Sequence, residues 1–155
     1  MAVSTNTDTY KYIIQSVDAI TSNVDYSVSN MANIAAILWE QLADINWVGF
    51  YIMREGELQL GPFQGKVACT RIGLGKGVCG TAAANDETQL VTNVHEFPGH
   101  IACDSASNSE IVIPIHHAGA VWGVLDIDSP ILARFDDNDR DALERIVHIF
   151  ESRLK

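Results

Sequence analysis

The sequence predicts an α+β domain, an antiparallel sheet with helices gathered to one side. Three observations point there. Apolar stripes of helical period occupy the two ends of the chain, segments of period two fill its interior, and short turns join several of those segments. Strands linked by turns pair antiparallel, whereas parallel strands need long crossovers.

In chain order, Thr7 to Ile20 reads as a first helix, with Ile13, Val17 and Ile20 on one stripe. Ser27 to Leu42 reads as a second, with Val28, Met31, Ala32, Ala35, Leu38, Trp39 and Leu42 as its core stripe. The period then changes to two. In "NWVGFYIMR", Val48, Phe50 and Ile52 share one face and Trp47, Gly49 and Tyr51 the other. "REGE" is a turn into a second strand, "LQLGPF", and "GKVACTRI" a candidate third. "GLGKGVCGTAAA" is a glycine-rich loop entering a short helix, and "TQLVTNV" a short extended piece. "SEIVIPIHH" and "AVWGVLDID" form a hairpin about Ala118-Gly119. A last helix, acidic at its start as the dipole favours, has Leu143, Ile146, Val147, Phe150 and Leu154 inward. Terminal helices on one sheet face leave the loop-rich middle to cover the other, with a pocket between sheet and loops.

The 155 residues suffice for one domain with a real core, taken as 1–155. No apolar run approaches the ~20 residues of a membrane span, and "MAVSTNTDTYKY" lacks the regions of a secretory signal, so a cytoplasmic protein is expected. A net charge of -10 argues against nucleic acid and anionic membranes as partners. The odd set Cys69, Cys79 and Cys103 argues against a permanent disulfide framework and leaves inert buried thiols or a thiol-dependent site.

In "VWGVLDID", Asp126 and Asp128 face one way with Trp122 and Val124, and Leu125 and Ile127 the other. A solvated edge explains such a pair. With Glu110 across the hairpin, so does a pocket that holds an ammonium group or supplies a proton. Trp47 and Tyr51 are surface aromatics or flat walls for an apolar or sulfur-bearing fragment. "GLGKG" matches no phosphate-binding loop, and its glycines read as backbone turns. Cys79 precedes a helix start, where the dipole lowers a thiol pKa and burial opposes it. His95, His100, Cys103 and Asp104 match no zinc spacing, so no metal is expected, and His116, His117 and His148 read as surface or structural.

The stretch "GKGVCGTAA…TQLVTNVHEFPGHIACDSASNSEIVIPI…GVLDIDS" resembles the free methionine-(R)-sulfoxide reductases, which are single GAF domains. The cysteine spacing, "FPGHIACD" about the third cysteine, the glutamate seven positions on and "LDID" carry the resemblance. It implies a sheet of six strands, reduction of free L-methionine (R)-sulfoxide, and no metal or organic cofactor. Cys103 then corresponds to the attacking cysteine, Cys69 to the resolving one and Cys79 to an auxiliary. Trp47, Tyr51, Glu110, Asp126 and Asp128 correspond to the substrate pocket, with Glu110 or Asp128 as proton donor. Thioredoxin as reductant and a homodimer are implied as partners. The alternative is a GAF module that binds a small molecule as a sensor. The lack of an output domain and the presence of a resolving thiol weigh against it.

Overall fold

The computed structural model describes residues 4–100 and 105–155. Their helices are α1 (Thr7–Thr21), α2 (Ser27–Gln41), α3 (Gly77–Asn85) and α4 (Asp137–Arg153). The strands are β1 (Trp47–Arg54), β2 (Glu57–Gly65), β3 (Arg71–Gly73), β4 (Gln89–Val91), β5 (Ser109–His117) and β6 (Ala120–Ser129). They form one six-stranded sheet in the order β3-β2-β1-β6-β5-β4, antiparallel at every junction. The β1–β2 and β5–β6 turns place Glu55, Gly56, Ala118 and Gly119 at positive φ, as two-residue hairpin loops require. No helix among the described residues is long and apolar enough to cross a membrane.

Alternation along the strands gives the sheet two apolar faces. Val48, Phe50, Ile111, Ile113, Leu125 and Ile127 pack against α1, α2 and α4. Trp47, Tyr51, Val112 and Val124 point the other way, against α3 and the neighbouring loops. Helices thus cover one face as expected, and α3 belongs to the covering of the other.

Both N-terminal stripes differ from expectation. In α1 the buried positions are Tyr10, Ile13, Val17 and Thr21, while Ile20 is 43% exposed. Thr21 is tolerated inside because its hydroxyl donates to the Val17 carbonyl (2.8 Å) and accepts from Arg153 Nε (3.2 Å). In α2 the buried stripe is Met31, Ile34, Ala35 and Leu38, with Val28, Ala32 and Trp39 exposed. The apolar arc there is wider than one sheet face can cover, and the sheet takes its centre. Leu42 is buried as expected.

Two irregularities shape the other face. In "GKVACTRI" Gly65 ends β2, residues 66–69 peel away, with Val67 88% exposed, and the chain rejoins the sheet at Arg71–Gly73. In β6 the register moves from Ile115↔Gly123 to His116↔Val121, so Trp122 is the extra residue of a bulge. The bulge turns Trp122 to the helix side, against Phe150 (5.5 Å between rings), and corrects its expected place beside the aspartates. Gly123 lies so close to β1 that a Cβ would stand 2.3 Å from the Tyr51 carbonyl oxygen.

The helical layer is tied by a buried ion. Arg134 donates from Nε to the Ala43 carbonyl (3.0 Å) and from Nη2 to Thr5 Oγ1 (2.8 Å), and its Nη1 lies 3.6 Å from Asp139. Asp139 also accepts from the Tyr10 hydroxyl (2.5 Å) and closes the α4 capping box with Asp136. Removing one partner of a buried pair leaves an uncompensated charge. Arg134→Met is therefore expected to lower unfolding free energy by about 3–5 kcal/mol, measured by urea denaturation; a loss below about 1 kcal/mol contradicts this reading.

Candidate functional site

The pocket forms where the face opposite α1, α2 and α4 is richest in polar side chains. Register alone assembles its floor. Trp47, Asp128 and Glu110 are direct cross-strand partners in one row, and Gly49, Asp126 and Val112 make the next. Side chains of paired residues stand on the same face, so the three carboxyl groups converge. Gly49 keeps the second row low. A Cβ there would meet Phe63 at 2.3 Å and the Trp47 ring at 2.8 Å. The Trp47 ring instead lies stacked between Tyr51 (5.9 Å) and Phe63 (5.2 Å).

The aromatic wall also anchors the segment that carries the first cysteine. Trp47 Nε1 donates to the Lys66 carbonyl (3.1 Å), and the Tyr51 hydroxyl donates to the Cys69 carbonyl (2.9 Å). The strand departure at residues 66–69 thus puts Val67 and Ala68 along the pocket lining. On the opposite side, α3 contributes Lys76, Gly77, Val78 and Cys79, and the later loops contribute His100 and Ser107. Trp47, Tyr51, Cys79, Glu110, Asp126 and Asp128 line this one pocket together. Cys69 packs against the same apolar cluster. Cys103 and Asp104 lie outside the described residues.

Burial decides the electrostatics. Glu110 and Asp126 are almost completely buried. Desolvation raises the Glu110 pKa well above its ordinary 4.5, and the Asp126 and Asp128 charges raise it further. Burial also raises Asp126, opposed by hydrogen bonds from Glu110, Cys79 and Asp128. Burial lifts the Tyr51 hydroxyl as well, with Asp126 adding to it. Cys79 is a free thiol in the first turn of α3, with Sγ 3.9 Å from Glu110 Oε1. Its pKa is raised, by burial first and by the Asp126 and Glu110 charges next. The helix dipole loses to desolvation there, which fits a proton-holding role better than a nucleophilic one.

Cys79, Glu110 and Asp126 have ligand atoms within 4.8 Å of one another and are the described residues able to hold a cation. Cation binding would require them to give up the protons that burial retains. Of the two histidines, only His95 is held by a partner outside the pocket. His95 Nε2 donates to Asn108 Oδ1 (2.8 Å), while His100 Nε2 faces Glu110 at 4.0 Å. Burial lowers the His100 pKa, and the His95 charge adds to this. Sequence reasoning missed His100, Lys76 and Ser107 as pocket residues. Their signal was weak, since each lies in a loop or at a loop–helix junction, where only the tertiary path brings it to the sheet.

The raised carboxyl pKa of Glu110 has a defined consequence. The folded protein holds protons that the unfolded chain has released, so stability falls as pH rises above 4.5 towards the raised value. Wild-type melting temperature is expected to drop across this window, and Glu110→Gln to flatten the drop; equal slopes contradict the assignment. Native Cys79 is also expected to alkylate with iodoacetamide at least about tenfold more slowly than in urea, read by peptide mass spectrometry. Equal rates contradict its burial as a protonated thiol.

Comparison with known proteins places this geometry. The GAF domain model matches residues 28–154. A free methionine-R-sulfoxide reductase of Escherichia coli is 47% identical over 148 residues, covering 96% of this chain and 90% of that protein. One of Saccharomyces cerevisiae is 49% identical over 130 residues, covering 79% and 72%. The structure of Staphylococcus aureus fRMsr in complex with substrate superposes with a TM-score of 0.93 at 46% identity, covering 100% of this chain and 99% of that one. The α+β expectation and the six-stranded antiparallel sheet are borne out. The chain belongs to the GAF domain family and, within it, to the free methionine-R-sulfoxide reductases.

Proposed function

We propose that this protein reduces free L-methionine (R)-sulfoxide to methionine. One observation carries the reading: a buried carboxyl cluster, with raised pKa values at Glu110 and Asp126, faces an aromatic wall inside a single pocket. A sulfoxide oxygen leaves sulfur only when protonated, and a carboxylic acid that keeps its proton at neutral pH supplies one. Glu110 is the better supported donor, because burial and two neighbouring carboxylates hold its proton in place; Asp128 is its cross-strand partner. Trp47 and Tyr51 take the S-methyl end, since sulfur and its methyl group pack well on rings. A chiral sulfur held between a flat wall and a fixed acid presents its oxygen to that acid in one epimer only. The acidic floor also favours a substrate with a free ammonium group.

In this reading the Cys103 thiolate attacks the sulfoxide and takes up its oxygen while the acid delivers a proton. The S–O bond of the substrate breaks and methionine leaves. Its sulfur is reduced by two electrons, and Cys103, oxidised by two, becomes a sulfenic acid. The Cys69 thiol then attacks the Cys103 sulfur, water leaves and a disulfide forms. The dithiol of thioredoxin supplies two electrons and two protons to restore both thiols. Support for Cys69 over Cys79 as the resolving residue comes from their surroundings. Cys79 is buried with its proton held, whereas Cys69 sits on the exposed-side segment 66–69 and is disulfide-bonded.

The test is chiral amino-acid analysis after incubation with racemic free methionine sulfoxide and dithiothreitol. Loss of the R epimer alone is expected; survival of both epimers rejects the reductase and favours a sensor module. Cys103→Ser is expected to be inactive, and Cys69→Ser, without reductant, to release about one methionine per protein. Glu110→Gln is expected to lower the rate by about 100-fold or more.

A further inference from the structure

The pocket floor holds a donor set whose joint chemistry the reductase mechanism does not use. Cys79, Glu110 and Asp126 come from three different elements, α3, β5 and β6. Each brings one ligand atom to a common point, all within 4.8 Å of one another. Cys79 Sγ and Glu110 Oε1 are 3.9 Å apart. Around a tetrahedral zinc ion, with bonds of about 2.0–2.3 Å, neighbouring ligand atoms stand about 3.4–3.6 Å from one another. Side-chain rotations close the difference, and the strands need not move.

A second observation points to a positive guest in the same space. Asp126, 5% exposed, has one carboxylate oxygen with no hydrogen-bond partner among the described residues. Charge favours a cation as well. Asp128 adds a further acid to the pocket lining, and a net charge of -10 concentrates cations around the chain. Sulfur decides which cation. Calcium takes six to eight oxygens and magnesium a near-ideal octahedron, which one thiol and two carboxyl groups do not supply. A thiolate selects zinc and softer ions, with three protein ligands and a water in the fourth position. The proton that burial keeps on Cys79 passes to the buffer as the ion takes its place.

We propose that Cys79, Glu110 and Asp126 form a binding site for a thiophilic divalent cation of the zinc and cadmium class, which occupies the pocket floor and excludes the sulfoxide. The ion acts as an inhibitor and not as a cofactor. It takes the oxygens of Glu110, the acid that the reduction needs with its proton on. The cation site stands apart from the reductase reading; only the exclusion of substrate rests on that reading.

Cadmium chloride is the probe, because a cadmium-bound thiolate absorbs in the ultraviolet and cadmium is visible by NMR. The protein is the full chain carrying Cys69→Ser and Cys103→Ser, which leaves Cys79 as its one thiol. Titration is expected to raise a thiolate-to-cadmium band that saturates at one ion per chain and survives a large excess of magnesium. Adding Cys79→Ser removes the band. Glu110→Gln and Asp126→Asn are each expected to weaken binding by about tenfold or more, since even changes behind the ligands cost about 10–100-fold. Should a variant fail to fold, the cadmium resonance of the unaltered site still decides, and the shift of one sulfur with oxygen donors is expected. No band, an affinity unchanged by both carboxyl variants, or a resonance of two or more sulfurs overturns the site. Free methionine (R)-sulfoxide, which this protein binds but cannot reduce, is expected to raise the apparent dissociation constant in proportion to its concentration. No such competition, in a protein whose cation-free wild type turns the sulfoxide over, overturns the exclusion. Absence of that turnover instead rejects the reductase reading and leaves the binding result standing.

Discussion

Desolvation of carboxyl groups on one sheet face is the constraint on which this site depends. Exposed, Glu110 and Asp126 would ionise and repel each other, and a solvated edge would be their natural place. Buried beneath Trp47, Tyr51 and α3, their pKa values rise and the cluster keeps protons that water would otherwise remove. The same burial that costs the fold stability therefore favours the protonated form of these acids. Cys79 is drawn into the arrangement as a protonated neighbour, hydrogen-bonded within it, and its helix-start location does not make it a thiolate.

Such a cluster needs a rigid frame, which the opposite face supplies. Helices α1, α2 and α4 seal their side with an unbroken apolar layer, locked by Arg134, Asp139 and Tyr10. Because a strand has period two, every apolar residue committed to that layer leaves its neighbours facing the pocket. Val48 and Phe50 position Trp47 and Tyr51 in this way, and Leu125 and Ile127 position Asp126 and Asp128. Core and site are alternate residues of the same strands, so packing on one side fixes geometry on the other to within a side-chain rotation.

Much of this was legible in the sequence because periodicity encodes it. The alternation in "NWVGFYIMR" and "VLDID" predicts both faces, and the hairpin about Ala118-Gly119 predicts that Glu110 stands beside the aspartates. What escaped was whatever depends on a break in the period. Trp122 follows the alternation in sequence yet lies on the other face, because a bulge inserts one residue and flips the phase. Trp39 and Val28 fit a helical stripe that is wider than the surface available to cover it. The detour at residues 66–69 and the reach of Lys76 and His100 into the pocket arise from loop paths, which local propensity does not specify. The roles of Cys69 and Cys103 came from resemblance, since nothing in their local sequence fixes a pairing.

The central claim is that folding holds a proton on a buried carboxyl group beside the aromatic wall. Infrared difference spectroscopy of wild type against Glu110→Gln at neutral pH reads that proton directly, through the carbonyl stretch of a protonated carboxylic acid. A protonated-acid band present in the wild type and absent from the variant is the expected result. A spectrum showing only ionised carboxylate lost at residue 110 would contradict it.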